Sequence, residues 1–232
     1  MIDFHSHILP LMDDGSKSVQ ESIELLKILK QQGINKVVAT SHYYPEIESV
    51  EDFLKRREDS YILLKKEMLN DLPDIVLGAE VKFYPGISRM ENLEKLCVEN
   101  SRVLLLEMPF TYWTEFTLKE VIDLANLKNI TVVLAHIDRY FSYQTGSVWQ
   151  KLFENGILMQ ANADSFMGLF SRIKVFKFLK KGWIHFIGSD CHNLITRPPK
   201  IGEALNIIFK KFGSDYVNFM TDFDLGVLNQ SE

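Results

Sequence analysis

Seven short, nearly unbroken apolar runs punctuate this chain, and a helix-patterned stretch follows each of them. The runs lie at about Ile2–His5, Ile34–Thr40, Ile75–Glu80, Val103–Glu107, Thr131–His136, Ile157–Asn162 and Trp183–Gly188. Runs that stay apolar at successive positions suit strands covered on both faces, and strands alternating with helices pair in parallel. Between them the periodicity predicts helices. The first opens at Ser18, with Glu21 completing a capping box, and stops at Gly33. A long charged helix follows from Val50 to Leu69, and a shorter helical stretch from Arg89 to Val98. Thr117 with Glu120 is expected to cap the next helix, and further helices are expected over Trp149–Glu154, Ile173–Lys181 and Gly202–Phe212.

The polar residues choose between an open sheet and a closed barrel. His5 and His7 close the first run, His42 follows the second, and Glu80 ends the third. Glu107, His136 and Asn162 end the next three, and Asp190 with His192 follows the seventh. Every run therefore delivers a ligand-capable side chain at its carboxyl end. In a barrel those ends converge on one mouth, whereas an open sheet spreads them along a crevice. The expected fold is thus a parallel α/β barrel. Five of the six histidines take part; His185 lies inside a run and reads as structural.

With no linker rich in Pro, Gly or Ser, the 232 residues read as one domain, 1–232. The balance of 31 acidic against 26 basic residues gives a nucleic-acid backbone no attraction. Two distant cysteines, Cys97 and Cys191, form no disulfide framework, and no run reaches the length of a membrane span. A cytoplasmic protein is expected, with monomer and dimer both open.

Asp14, Glu80, Glu107 and Asp190 would bring four negative charges into one mouth. Without cations some of them must take up protons or repel one another. Two or three divalent ions relieve this, and three leave an excess of positive charge suited to an anionic substrate such as a phosphate ester. Mixed nitrogen and oxygen ligands suit manganese, iron or zinc better than calcium.

Seven stretches carry a resemblance: His5-Ser6-His7, Asp13-Asp14-Gly15, Thr40-Ser41-His42, Gly78-Ala79-Glu80, Leu106-Glu107, Ala135-His136-Ile137-Asp138-Arg139-Tyr140 and Ser189-Asp190-Cys191-His192-Asn193. In order and spacing they resemble the polymerase and histidinol phosphatase (PHP) superfamily. More narrowly, they are similar to the bacterial PHP-type protein-tyrosine phosphatases that act with capsule and exopolysaccharide tyrosine kinases. The resemblance runs from the first residue to at least Ala204 and implies a distorted (β/α)7 barrel with three divalent metals, manganese foremost. It implies that His5, His7, Glu80 and Asp190 hold one metal. Glu80 would bridge to a second, completed by Glu107 and His136, and Asp14, His42 and His192 would hold the third. Arg139 and Arg197 match the family's phosphate-binding arginines. Three places depart from the family pattern: Asp138 where glutamate is usual, Ser16 where proline often stands, and the stretch from Gln160 to Ser165.

The expected reaction is hydrolysis of a phosphomonoester by a metal-activated hydroxide, with phosphotyrosine on a bacterial tyrosine kinase as substrate. Alternatives are a small-molecule phosphatase of the same superfamily, such as one for histidinol phosphate, a metal-dependent amidohydrolase, and a silent metal-binding partner of a kinase. Cys191 lacks the phosphate-cradling loop a cysteine phosphatase needs and reads as structural. The mouth loops are rich in aromatics (Tyr43, Tyr44, Tyr84, Phe110, Tyr112, Trp113, Tyr140, Phe141, Phe166, Phe170), which either pack as a lid or form a rim for a phosphotyrosyl ring.

Overall fold

The computed structural model describes residues 1–68, 70–128 and 130–221. Among them nine strand segments run parallel in two hydrogen-bonded groups. One has the order β1 (Ile2–Ser6), β2 (Lys36–Ala39), β4 (Asp74–Leu77). The other has the order β3 (His42–Tyr43), β5 (Glu80–Lys82), β6 (Val103–Glu107), β7 (Thr131–Leu134), β8 (Leu158–Asn162), β9 (Phe186–Gly188). The chain passes from β2 to β3 and from β4 to β5 across two-residue breaks. The ladder bridges them: Gly78 N–H donates to the Ala39 carbonyl at 2.9 Å and Glu80 N–H to that of Ser41 at 3.1 Å. Past β9, Asp190 N–H donates to the His5 carbonyl at 2.7 Å and His7 N–H to that of Cys191 at 2.9 Å. The result is a curled parallel sheet whose carboxyl ends face one mouth.

The helices α1 (Val19–Gln31), α2 (Val50–Glu67), α3 (Glu115–Lys128), α4 (Gly146–Glu154), α5 (Leu169–Lys180), α6 (Ile201–Phe212) and α7 (Ser214–Thr221) pack outside this sheet. Strand residues alternate between two apolar layers. Leu104 and Leu106 belong to the layer shared with the helices, and Val103 and Leu105 to a separate inner cluster with Ile2, Phe4, Val38, Val133, Ala135 and Phe186. At its centre the Phe4 and Phe186 rings stack at 3.9 Å, both buried. Each such ring contributes about 1.5–3 kcal/mol by leaving water. No helix among the described residues is long and apolar enough to cross a membrane.

Helix α2 also positions the loop after β1. Ser60 donates to the Pro10 carbonyl at 2.6 Å and Arg56 to that of Met12 at 3.0 Å. The buried Arg57 donates to the Gly78 carbonyl at 2.8 Å, beside the break between β4 and β5.

Several predicted boundaries change. The first cap is as expected: Ser18 Oγ accepts Glu21 N–H at 3.1 Å, and a Glu21 carboxylate oxygen accepts Lys17 N–H at 2.8 Å. The expected helix over Arg89–Val98 is instead two 3-10 turns, Ile87–Arg89 and Leu93–Leu96. Asn92, between them, adopts a left-handed backbone (φ 60°), which no continuous right-handed helix admits. Thr117 and Glu120 do not cap the next helix. Thr114 does, accepting Thr117 N–H at 3.1 Å, so α3 begins earlier. Glu120 is buried and accepts Gly86 N–H at 2.9 Å, tying α3 to the first 3-10 turn. Of the last run only Phe186–Gly188 is strand. The long second helix ends at Glu67; the expected end at Leu69 lies outside the described residues.

Candidate metal centre

All nine ligand-type residues singled out from the sequence meet at the mouth, linked through Glu80 and Asp190. His5 Nε2 and His7 Nε2 lie 3.1 Å apart, at 3.2 and 3.3 Å from Glu80 Oε2 and 3.6 and 3.5 Å from Asp190 Oδ1. His136 Nε2 sits 2.7 Å from Glu80 Oε1 and 3.5 Å from Glu107 Oε1. His42 Nδ1 is 3.1 Å from Glu80 Oε2. Asp14 Oδ1, on the solvent side, is 3.5 Å from His42 Nε2 and 3.3 Å from His192 Nε2. Arg139 and Arg197 both reach Asp190 Oδ2, at 2.5 and 2.7 Å.

Backbone geometry holds this arrangement. His136 and Asp190 both have positive φ (32° and 51°), a conformation that costs a non-glycine residue about 1–2 kcal/mol. Such strain persists only where the surroundings over-determine it. Glycines permit close approach: a Cβ on Gly188 would lie 2.5 Å from that of His5, and one on Gly15 would lie 2.4 Å from the His7 carbonyl oxygen.

Three histidines have their tautomer set by the far ring nitrogen. His5 Nδ1 faces Gln160 Oε1 at 3.1 Å, His7 Nδ1 faces Asp13 Oδ2 at 2.9 Å, and His192 Nδ1 faces the Asp190 carbonyl at 3.0 Å. Each of these partners only accepts, so each Nδ1 carries the proton and donates. Each Nε2 is then aimed at the cluster, the orientation that outer partners impose on metal-binding histidines, and it offers a lone pair there when the ring is neutral.

The electrostatics fit this geometry. Burial alone would raise the pKa of Glu80, but the His5 and His136 imidazoles outweigh it and hold Glu80 well below the usual carboxylate range. Asp190 is likewise held low against its burial by His5, His7 and Arg139. Burial would lower His136, yet Glu80 and Glu107 lift it to about 9. His7 is raised well above its ordinary value, the Asp13 carboxylate overriding burial. Burial lowers His42, and burial together with the charge on His7 lowers His192 to about 3.

Sequence reasoning missed Gln160 and Asp13 as residues that hold the ligands, and it named Asn162 only as a strand-end ligand candidate, whereas Asn162 orients Asp190. Gln160 Oε1 accepts from His5 and, at 2.7 Å, from His136 N–H, while its Nε2 donates to Asn162 at 3.0 Å. Asn162 Nδ2 donates to Asp190 Oδ2 at 2.6 Å. Both lie where the sequence departs from the family pattern, and that departure was the available signal. Asp13 accepts from His7, Gly15 N–H and His42 N–H, and burial offset by the His7 charge leaves its pKa lowered. Its signal was the doubled Asp13-Asp14. Asp138 accepts Asn162 N–H at 2.8 Å, and Ser16 shares a hydrogen bond with Ser22 at 2.8 Å, so neither departure removes a ligand. His185 stands apart, its Nδ1 accepting Met159 N–H at 3.2 Å. Burial pushes the Cys191 thiol up to about 12, leaving it protonated and a poor nucleophile.

The donor set fits divalent cations. His5 and His7 bring their Nε2 atoms within 3.1 Å of each other beside Glu80 and Asp190, a contact that a proton on His7 satisfies in the free protein and that a shared cation would satisfy in its place. Glu80 Oε2, His42 Nδ1 and His192 Nε2 are buried and make no hydrogen bond. Three ligand groups are close enough to share an ion: His5, His7 and Asp190; His7, Asp14, His42 and His192; and His42, Glu80 and Glu107. The second and third include residues that the resemblance assigns elsewhere, because His7 and His42 lie between neighbouring groups.

Fold and site together define a metal-binding centre at the mouth of a curled parallel α/β sheet. A family described as capsular polysaccharide synthesis, CpsB/CapC, matches residues 1–222, and the chain belongs to that family. It is 35% identical over 234 residues to the tyrosine-protein phosphatase CpsB of Streptococcus pneumoniae, covering 92% of each chain. To the tyrosine-protein phosphatase YwqE of Bacillus subtilis (strain 168) it is 32% identical over 228 residues, covering 96% of this chain and 89% of the relative. A solved structure of this pair, described as unique metal-dependent tyrosine phosphatases from B. subtilis and S. pneumoniae, matches at TM-score 0.82 and 26% identity. That match covers 100% of this chain and 95% of the other. A lactonase from Listeria monocytogenes shares the fold alone, at TM-score 0.56 and 11% identity.

Proposed function

We propose that this chain is a metal-dependent protein-tyrosine phosphatase of capsule or exopolysaccharide synthesis, working as one domain over 1–232 in the cytoplasm on a phosphorylated bacterial tyrosine kinase. The reaction adds water across the phosphate ester, breaking the P–O bond and releasing tyrosine and inorganic phosphate. The observation that carries this reading is the meeting of nine ligand-type side chains and two arginines around Glu80 and Asp190. Hydrogen bonding around the strand ends supports a distorted (β/α)7 barrel: β2 with β3, and β4 with β5, each act as one of seven strand positions.

His5, His7, Glu80 and Asp190 would hold one cation, Glu80 with Glu107 and His136 a second, and Asp14, His42 and His192 a third. Bound divalent ions, manganese foremost and iron or zinc as alternatives, supply Lewis acidity and a water acidic enough to react near neutral pH. Arg139 and Arg197 are about one-third exposed and hold Asp190 in the free protein. Their planar forks suit bidentate contact with the phosphoryl oxygens as negative charge grows there. Gln160, Asn162 and Asp13 keep the ligand atoms aimed inward.

The test is side-by-side turnover of a phosphotyrosine peptide, a phosphoserine peptide and histidinol phosphate, with manganese and with chelator. Turnover of the phosphotyrosine peptide that chelator removes is the expected result. Preference for histidinol phosphate would overturn the substrate assignment.

A further inference from the structure

Among the aromatics of the mouth, two groups stand in contrast. Tyr43, Tyr140 and Phe166 are fully buried and serve as packing. Tyr44 and Phe110 instead line a groove of about 410 Å3, shared with Lys82, Phe83, Glu107 and Met108. Glu107 belongs both to this groove and to the cluster, where it faces His136, so the groove opens directly onto the proposed reaction centre.

Each wall is backed by a cluster histidine. The Tyr44 ring stacks on His42 at 5.2 Å and 23°, and the Phe110 ring stacks on His136 at 6.0 Å and 17°. Phe110 also rests against buried Tyr140 at 5.3 Å, and the Tyr140 hydroxyl accepts Met108 N–H at 3.0 Å. Phe110 is nonetheless 49% exposed, an apolar ring at the groove surface backed by His136 and Tyr140. On the outer side the Lys82 ammonium lies 5.3 Å from the Tyr44 ring centroid and pairs with Glu46.

Resting on the phosphatase reading, we propose that Tyr44 and Phe110 form the subsite for the aryl ring of the substrate and so determine its preference for aryl over alkyl phosphates. An aryl ring bonded to the ester oxygen occupies the groove while its phosphate reaches the cluster, and stacking between aromatic faces favours it. An alkyl phosphate leaves the groove unfilled. A phosphoseryl chain would have to bring its polar backbone down between two apolar walls, where it loses hydrogen bonds to water.

The test compares kcat/KM for a phosphotyrosine peptide with that for glycerol phosphate on the manganese-loaded full chain. Calorimetric binding of benzylphosphonate and methylphosphonate supplies a second readout. In Phe110→Ala and Tyr44→Ala the aryl-to-alkyl ratio is expected to fall about tenfold or more, through KM, with a matching loss of benzylphosphonate affinity. Phe110→Leu keeps apolar bulk without an aromatic face and is expected to fall as well, whereas Tyr44→Phe stays within about twofold of wild type. Ratios and phosphonate selectivity unchanged in folded, metal-loaded Phe110→Leu and Tyr44→Ala would overturn the subsite. Wild-type protein that hydrolyses none of the esters would overturn the phosphatase reading instead, and selective binding of benzylphosphonate would still report on the groove.

Discussion

The strands of this protein build two interiors of opposite character. Toward their amino ends they enclose Phe4, Leu105, Val133 and Phe186, apolar side chains in mutual contact and buried. At their carboxyl ends the same sheet carries Glu80, His136 and Asp190, equally buried but charged, Glu80 and His136 each with a side-chain atom that makes no hydrogen bond. The inner cluster is complete without any ligand. The mouth is a set of donors and acceptors arranged for something else, and its strained residues, His136 and Asp190, rely on the packed layers for support. Stability and chemistry are thus separated along the strands by only one to four residues, from Phe4 and His5 to Phe186 and Asp190.

Substitutions at either end can break or sharpen this contrast. His5→Ala should cut turnover by about a thousandfold or more while the protein stays folded, a larger loss than the ~10–100-fold typical of residues that only orient ligands. Kinetics together with circular dichroism check this, and normal activity would dissolve the cluster. Phe4→Ala should do the reverse, lowering unfolding free energy by about 3–5 kcal/mol, read by urea denaturation, with metal stoichiometry unchanged in the folded fraction. Gln160→Leu removes the acceptor shared by His5 and the His136 backbone. It should weaken metal affinity by about 10–100-fold and, by leaving the buried His136 N–H without its acceptor, lower unfolding free energy by about 1–3 kcal/mol.

The smallest expected effect concerns His185, away from the mouth. Burial lowers its pKa to about 4 from 6.5, so it is neutral in the fold. The stability this provides is fully present above pH 6.5 and is lost as pH falls toward 4. His185→Gln should therefore show a shallower fall in melting temperature over that window. An unchanged slope would remove His185 from the acid response.

The apolar runs made the sheet legible because strands covered on both faces leave no polar position to obscure the pattern, and every ligand but Asp14 was legible because it ended or closely followed such a run. Boundaries set by single backbone conformations were less visible. Asn92 at positive φ splits an expected helix, and Thr114 takes the cap expected of Thr117. The partners of the ligands were hidden for another reason: Gln160 and Asn162 are ordinary polar residues whose roles exist only once β8 lies between β7 and β9, with Gln160 reaching His136 and His5 and Asn162 reaching Asp190. Among the aromatics, composition could not separate buried Tyr140 from groove-lining Phe110, since that depends on packing: Tyr140 is enclosed by Phe110, Trp113 and His136, while Phe110 keeps about half of its surface open.

The most direct test of the account is metal analysis paired with activity on one preparation. Protein stripped with chelator and reloaded with manganese should bind up to three ions, one for each ligand group at the mouth, and phosphotyrosine hydrolysis should vanish and return with them. Full hydrolysis by protein shown to be free of metal would contradict it.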